Sequence, residues 1–158
     1  MHGVHVVGGS NPLAPTILFP LELTLMTITE KPTDYFGLTI PFLAHLGVVP
    51  EYAEGGKSRI SLVIKPEFEN SFQIAHGGVI MTLLDFAMGA AARSTKSLAL
   101  GAMTIDMTVS FLRPSVGRIV VEGNILKAGK TINYCEAVVL NEAGEITAKS
   151  SGTFILRT

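Results

Sequence analysis

The feature that most constrains this sequence is an apolar segment between residues 70 and 95. After Gly78 it is rich in Ala, Leu and Met and contains no proline, which predicts a long helix. Its apolar residues occupy the whole circumference, so we expect burial of the helix against a sheet. The only ionisable side chain between Gly78 and Arg93 is Asp85. A carboxylate on a buried helix has either a hydrogen-bonded structural role or a place in a cavity where chemistry uses it.

The residues His76-Gly77-Gly78 open this predicted helix. The free N–H groups of its first turn, with the positive end of the helix dipole, form a site for an oxyanion. Asp85 follows Gly77 by eight residues, which places it roughly 12 Å further along the axis. One acyl carbon cannot lie within bonding reach of both groups on one helix. If both groups are catalytic, two antiparallel copies are required, which predicts a homodimer with two composite sites.

The length of the chain, 158 residues, is that of one domain of ordinary size. Charged residues make up only 16% of the chain and hydrophobic ones 47%, which predicts an oligomer with extensive buried contacts. A formal net charge of -1 and scattered basic residues argue against nucleic-acid binding. The single cysteine, Cys135, lies in an apolar run, and we interpret it as a small core residue. These features fit a reducing, cytoplasmic location.

Residues 1–30 read as an irregular N-terminal extension, which we expect to serve as an added strand or arm on a partner subunit. The apolar run from 13 to 29 is interrupted by Pro15, Pro20 and Glu22, so no membrane span is predicted. No basic region precedes this run and no A-x-A-like cleavage site follows it, so no secretory signal is predicted either. The sequence thus divides into this extension and a domain over residues 31–158.

Within that domain, helix and strand patterns follow a simple order. Residues 33–49 predict a short helix ended by glycine, residues 58–65 a strand, and residues 66–75 a loop. After the long helix, alternating apolar residues and short turns predict four strands, over residues 98–112, 117–127, 131–140 and 145–156. Because short turns join them, we expect an antiparallel meander wrapped around the helix, an α+β fold.

The chain from about Pro41 to Leu156 resembles the hotdog-fold acyl-CoA thioesterases of the phenylacetate-pathway (PaaI) type. The matching features are Asn70, His76-Gly77-Gly78, Asp85 nine residues after the histidine, Met103 to Val109, Phe111-Leu112-Arg113-Pro114, Gly129-Lys130, Asn141 to Glu145 and Ala148. The resemblance implies the hotdog fold, an antiparallel sheet around a long central helix. It also implies an acyl-CoA substrate, with no cofactor and no metal.

The resemblance further implies roles for individual residues. The Gly77 N–H would hold the developing oxyanion, and Asp85 of the partner subunit would act as general base or nucleophile. Thr104 would position the water, and Asn70 and His76 would support the loop and orient the thioester. Substrate-binding roles fall to Gly78, Met81, Thr82 and Phe86 along the helix, and to Arg113, Lys127 and Lys130 at strand ends, where cations can hold the coenzyme A phosphates.

The sequence does not favour the hydratase or dehydratase activity of other hotdog enzymes. Hydratases carry an Asp five residues before the histidine, where this chain has Ser71, and dehydratases carry a Glu fourteen residues after it, where this chain has Ala90. The sequence therefore predicts an acyl-CoA thioesterase that works as a homodimer or a homotetramer, a dimer of dimers. The alternatives are a non-catalytic acyl-CoA-binding hotdog protein and, more weakly, a hotdog lyase acting on a CoA ester.

Overall fold

A computed structural model of the chain describes residues 34–98 and 100–157. The elements are α1 (Pro41–Leu46), β1 (Val49–Glu54), β2 (Lys57–Val63), a 3-10 turn (Pro66–Phe68), α2 (Gly77–Ser94), β3 (Gly101–Phe111), β4 (Arg118–Ala128), β5 (Ile132–Leu140) and β6 (Ile146–Arg157). The N-terminal extension predicted over residues 1–30, with its use as an arm, lies outside the described residues.

The helix ends follow the local sequence. Pro41 occupies the first turn of α1, and Gly47 ends it with a φ of 77°, a left-handed conformation that favours glycine. His76 caps α2, since its ring nitrogen accepts a hydrogen bond from the N–H of Gly78. Both predicted helices are therefore confirmed, and α2 begins at Gly77, within the His76-Gly77-Gly78 segment that was expected to open it.

The six strands form one antiparallel sheet in the order β1-β2-β4-β5-β6-β3, and α2 packs across it. The core between helix and sheet contains fully buried aliphatic and aromatic side chains, among them Leu83, Leu84, Ile119, Val121, Val139 and Phe154. Cys135 belongs to this core, as predicted. The predicted fold class, α+β with an antiparallel sheet around a long helix, is confirmed.

Two details of the predicted topology are wrong. Only β4, β5 and β6 form a meander, because β3 pairs with β6 instead of β4. The link between β3 and β4 crosses the end of the sheet, where Ser115 O accepts from Ala75 N–H at 2.9 Å. Side-chain alternation identifies a strand but does not choose its neighbour. Strand β1 was not predicted, since Pro50 and two glutamates weaken its pattern; it lies at the other edge of the sheet, where proline is tolerated.

Helix α2 lies in direct contact with the sheet. A Cβ on the buried Gly123 of β4 would collide with Ala87 O, and Ser58 Oγ donates a hydrogen bond to the same oxygen at 2.6 Å. The C-terminal half of α2 is buried, but Met81 is 42% exposed. The expectation of a fully buried helix is therefore wrong for its N-terminal half, whose outer side nothing in the described part of this single chain covers.

Candidate functional site

The candidate site follows the line where α2 and β3 run side by side in opposite directions. Thr104 of β3 contacts Asp85 near the middle of the helix. A Cβ on Gly77 would lie 3.3 Å from the ring of Phe111, at the far end of β3, and one on Gly89 would lie 3.1 Å from Ala102 Cβ. The beginning of the helix therefore meets the end of β3.

The Asp85 carboxylate faces a cavity of about 230 Å³ between α2, β3 and the segment that leads into α1. Thr104 Oγ1 donates a hydrogen bond to Asp85 Oδ1 at 2.6 Å, which fixes the carboxylate toward the cavity. The remaining wall is mostly apolar, lined by Leu38, Ile40, Phe42, Leu43, Phe86, Gly89, Ala90, Ala102 and Phe154. The site thus combines an oriented carboxylate with a groove suited to an acyl chain.

The glycines at the start of α2 form a second, separate feature. His76 Nδ1 accepts from Gly78 N–H at 2.9 Å, so a neutral ring carries its proton on Nε2. The N–H of Gly77, in the first turn, donates to no other residue in the described ranges. It borders a cavity of about 390 Å³ shared with Asn70, Phe111 and Arg113. Here an unpaired donor lies where a carbonyl oxygen can reach it.

Asn70 shapes the loop before this donor. Its side-chain oxygen accepts from Phe72 N–H at 2.9 Å, and its backbone N–H donates to Ile74 O at the same distance. The two ends of the loop lie close together, since His76 N–H donates a hydrogen bond to Phe68 O. Asn70 therefore supports the loop that presents Gly77.

The other predicted binding residues are distributed over several surfaces. Thr82 and Phe86 line the Asp85 cavity, whereas Met81 is exposed outside it and Gly78 lies at the helix start. The three cations do not meet in one chain. Arg113 lines the Gly77 cavity, while Lys127 and Lys130 are exposed at the end of the sheet where β4 leads into β5.

Sequence reasoning missed the far end of the Asp85 cavity. Arg93, in the last turn of α2, lines this cavity and is only 1% exposed. Burial lowers the pKa of its guanidinium, against the raising influence of the charge on Asp34. Its signal in the sequence is a lone cation closing an otherwise apolar helix. The residue that supports Phe86 was also missed: Phe36, which does not itself line the cavity, stacks on Phe86 with ring centroids 6.0 Å apart.

Residues 34–98 and 100–157 contain neither a cluster of metal ligands nor a membrane-spanning helix. No three His, Cys, Asp or Glu side chains converge there as metal ligands do. None of the helices there has the length and apolar character needed to cross a membrane.

The chain matches known proteins along most of the described domain. Residues 72–148 match the family model described as the thioesterase superfamily. The "Putative esterase" of Halobacterium salinarum is 33% identical over 112 residues, covering 68% of this chain and 74% of that protein. Acyl-coenzyme A thioesterase 13 of Homo sapiens is 30% identical over 104 residues, covering 64% of this chain and 74% of that protein.

Solved structures share the fold. The PaaI protein of the E. coli phenylacetic acid degradation operon has a TM-score of 0.68 at 21% identity, covering 73% of this chain and 83% of that one. A Streptococcus mutans protein solved with acetyl CoA has a TM-score of 0.64 at 23% identity, covering 70% of this chain and 91% of that one. The resemblance predicted from the sequence is confirmed. The chain therefore belongs to the thioesterase superfamily and is a thioester hydrolase with the hotdog fold.

Proposed function

We propose that this enzyme hydrolyses acyl- or aryl-acyl-CoA thioesters to the free acid and coenzyme A. The observation that carries the proposal is the Asp85 carboxylate, held by Thr104 at the mouth of an apolar groove. Asp85 takes a proton from a water molecule whose oxygen attacks the thioester carbon. The C–S bond then breaks, and the departing thiolate takes up the proton. Asp85 acting as nucleophile, with water hydrolysing the resulting anhydride, is the other form of the same proposal.

The oxyanion donor in this proposal is Gly77 of the partner subunit. Strand β3 is eleven residues long and pairs only with β6 among the described strands, so its outer edge is open. Such a long, unpaired edge favours pairing with another strand. Antiparallel pairing of two β3 strands about a twofold axis between Met107 and Thr108 would set Thr104 opposite Phe111 of the partner subunit. Since Thr104 contacts Asp85 and Phe111 borders Gly77, this pairing joins the two halves of the site.

Exposed apolar side chains along the same edge support the dimer. Met103, Ile105 and Phe111 are each more than half exposed, and Met81 projects from the uncovered side of α2. Pairing would remove these side chains from water, which is favourable. We accordingly propose a homodimer, or a homotetramer built from two such dimers. We also propose a cytoplasmic location, which the single buried cysteine supports.

Substrate placement follows from the composite site. The acyl group would lie along Thr82 and Phe86, while Gly78 and Met81 would border the thioester. Arg113, which lines the cavity beside Gly77, is a candidate for binding the phosphates of coenzyme A, as are Lys127 and Lys130. A coenzyme A ester is supported by the human acyl-coenzyme A thioesterase relative and by the acetyl-CoA-bound structural neighbour.

The test is release of free thiol from short, medium, long and aryl acyl-CoAs by the native enzyme and by Asp85→Asn. Loss of a general base lowers kcat at least about a hundredfold. The isosteric change keeps the size of the side chain, so the fold should persist. Glu54→Gln is the matched control, because Glu54 is an exposed carboxylate of β1, at the opposite edge of the sheet, and does not line the cavity. It should stay within about twofold of native activity.

The outcomes separate the candidate functions. Thiol release that disappears only in Asp85→Asn supports the proposed hydrolysis. Equal activity in Asp85→Asn and native enzyme would remove Asp85 from the mechanism. Tight acyl-CoA binding without thiol release from any ester would instead indicate the non-catalytic acyl-CoA-binding protein.

A further inference from the structure

Arg93 is a buried cation that the proposed hydrolysis does not use. Three backbone carbonyl oxygens hold part of its guanidinium: Nε donates to Leu100 O at 2.5 Å, and one terminal nitrogen, Nη2, donates to Phe36 O at 2.8 Å and to Leu98 O. The other terminal nitrogen, Nη1, is buried and has no hydrogen-bond partner among the described residues. An unpaired buried donor on a charged group is costly unless a ligand satisfies it.

The guanidinium also lacks an ion-pair partner among the described residues. Within residues 34–98 and 100–157, the ion pairs join Arg59, Arg118 and Lys149 to glutamates, and none involves Arg93. Asp34, the carboxylate that raises the pKa of Arg93, is exposed and accepts a hydrogen bond from Gly37 N–H instead of forming an ion pair with the guanidinium. A buried cation without a counter-ion favours an anionic ligand over a neutral one.

The position of Arg93 relates it to the reacting end of the groove. Asp85, Gly89 and Arg93 succeed one another at four-residue intervals, so they lie along one side of α2 over roughly 12 Å. All three line the same cavity. A Cβ on Gly89 would lie 3.1 Å from Ala102 Cβ, so glycine at this position lets β3 pack closely against this side of α2. An acyl chain with its thioester carbon beside Asp85 therefore points its far end toward Arg93.

We propose that Arg93 binds a carboxylate at the far end of the acyl group, so that the favoured substrates are CoA thioesters of dicarboxylic acids. The inference rests on the proposed hydrolysis and specifies its substrate class. Water adds to the thioester carbon, the C–S bond breaks, and the products are a free dicarboxylic acid and coenzyme A. The distal carboxylate accepts hydrogen bonds from Nη1 and remains unchanged, and guanidinium suits such an acceptor better than a methyl or hydroxyl terminus does.

The experiment compares kcat/KM for glutaryl-, adipyl- and suberyl-CoA with the methyl-terminated CoA esters of equal carbon number, measured on the native enzyme. A site built around a charged hydrogen bond discriminates strongly against an analogue that lacks the acceptor. For at least one chain length, the dicarboxylic ester should be preferred by at least about tenfold. If the methyl-terminated ester is preferred at every length, the inference is wrong while the proposed hydrolysis stands. If no ester of either series releases thiol, the proposed function itself has failed.

A variant tests whether Arg93 causes the preference. In Arg93→Met the preference should be lost or reversed, whereas a purely structural arginine would lower both rates by the same factor and leave their ratio unchanged. Arg157→Met is the matched control, because it removes the same charge. Arg157 is exposed at the end of β6 and does not line the cavity. An unchanged ratio in Arg93→Met would refute the assignment. If Arg93→Met does not fold, the ratio measured on the native enzyme decides.

Discussion

The hydrogen bond between Thr104 and Asp85 gives a sharp prediction, because one hydroxyl can be removed without changing the size of the side chain. In Thr104→Val, the Oγ1–H···Oδ1 contact of 2.6 Å is lost. A hydrogen bond to a charged group contributes about 1.5–3 kcal/mol. Because Thr104 is exposed and water can partly replace its hydroxyl, we take the low end of that range, about 1.5 kcal/mol. If the bond orients the carboxylate for attack, kcat should fall about tenfold.

The assay is initial-rate thiol release at saturating acyl-CoA, with the thermal unfolding midpoint measured in parallel. Thr104→Ser keeps the hydroxyl and should retain most of the activity. Thr131→Val is the matched control, since it makes the same substitution at an exposed threonine that lies outside β3 and does not line the Asp85 cavity. The reasoning is refuted if Thr104→Val and Thr131→Val have the same kcat, or if Thr104→Ser is as impaired as Thr104→Val.

Three further predictions concern the core. Burial raises the pKa of the Cys135 thiol to about 12, so the native protein should not react with an aromatic disulfide reagent at pH 8 and should react once unfolded in urea. Labelling of the native protein at pH 8 at the rate of the unfolded protein would contradict the burial. The thiol of the unfolded protein ionises near its ordinary pKa of 9.0, whereas the pKa of the folded thiol is about 12. The free energy of unfolding should therefore fall as the pH rises from 9.0 toward 12. Leu84 is fully buried between helix and sheet, so Leu84→Ala should lower the free energy of unfolding by about 2–5 kcal/mol in urea titration, and a loss below about 0.5 kcal/mol would contradict that packing.

Much of the fold was predictable because its signals are local. The proline-free apolar run after Gly78 and the alternation from Met103 to Phe111 identify α2 and β3 from neighbouring residues alone. Strand order depends on pairing between distant segments, so placing β3 beside β4 instead of β6 was an error that alternation could not correct. Strand β1 was not predicted for the same reason: its own pattern is weak, and its pairing with β2 defines it.

The candidate site, too, was predictable from the sequence only where its signals are local. The glycines at the helix start and the lone carboxylate of Asp85 are visible in the sequence because each departs from an apolar helical pattern. Arg93 was missed since a cation in the last turn of a helix is common, and only the tertiary fold shows that its guanidinium is buried in the Asp85 cavity. Met81 was expected to border the substrate, yet within one chain it faces outward, so its predicted role depends on the partner subunit.

The composite site is the central claim, and a mixed dimer tests it most directly. One chain carries Asp85→Asn. The other carries Gly77→Pro, which deletes the N–H donor at the first helical position, where proline is well tolerated. Gly77→Ala, which keeps the N–H, is the control for the added Cβ beside Phe111.

The two variants are co-expressed with different affinity tags, and the heterodimer is purified through both tags. Each homodimer should be inactive. The heterodimer should contain one intact site, formed by Gly77 of one chain and Asp85 of the other, and should release thiol at about half the native rate. A heterodimer as inactive as the two homodimers would contradict the account, because it would place Gly77 and Asp85 of each working site within a single chain.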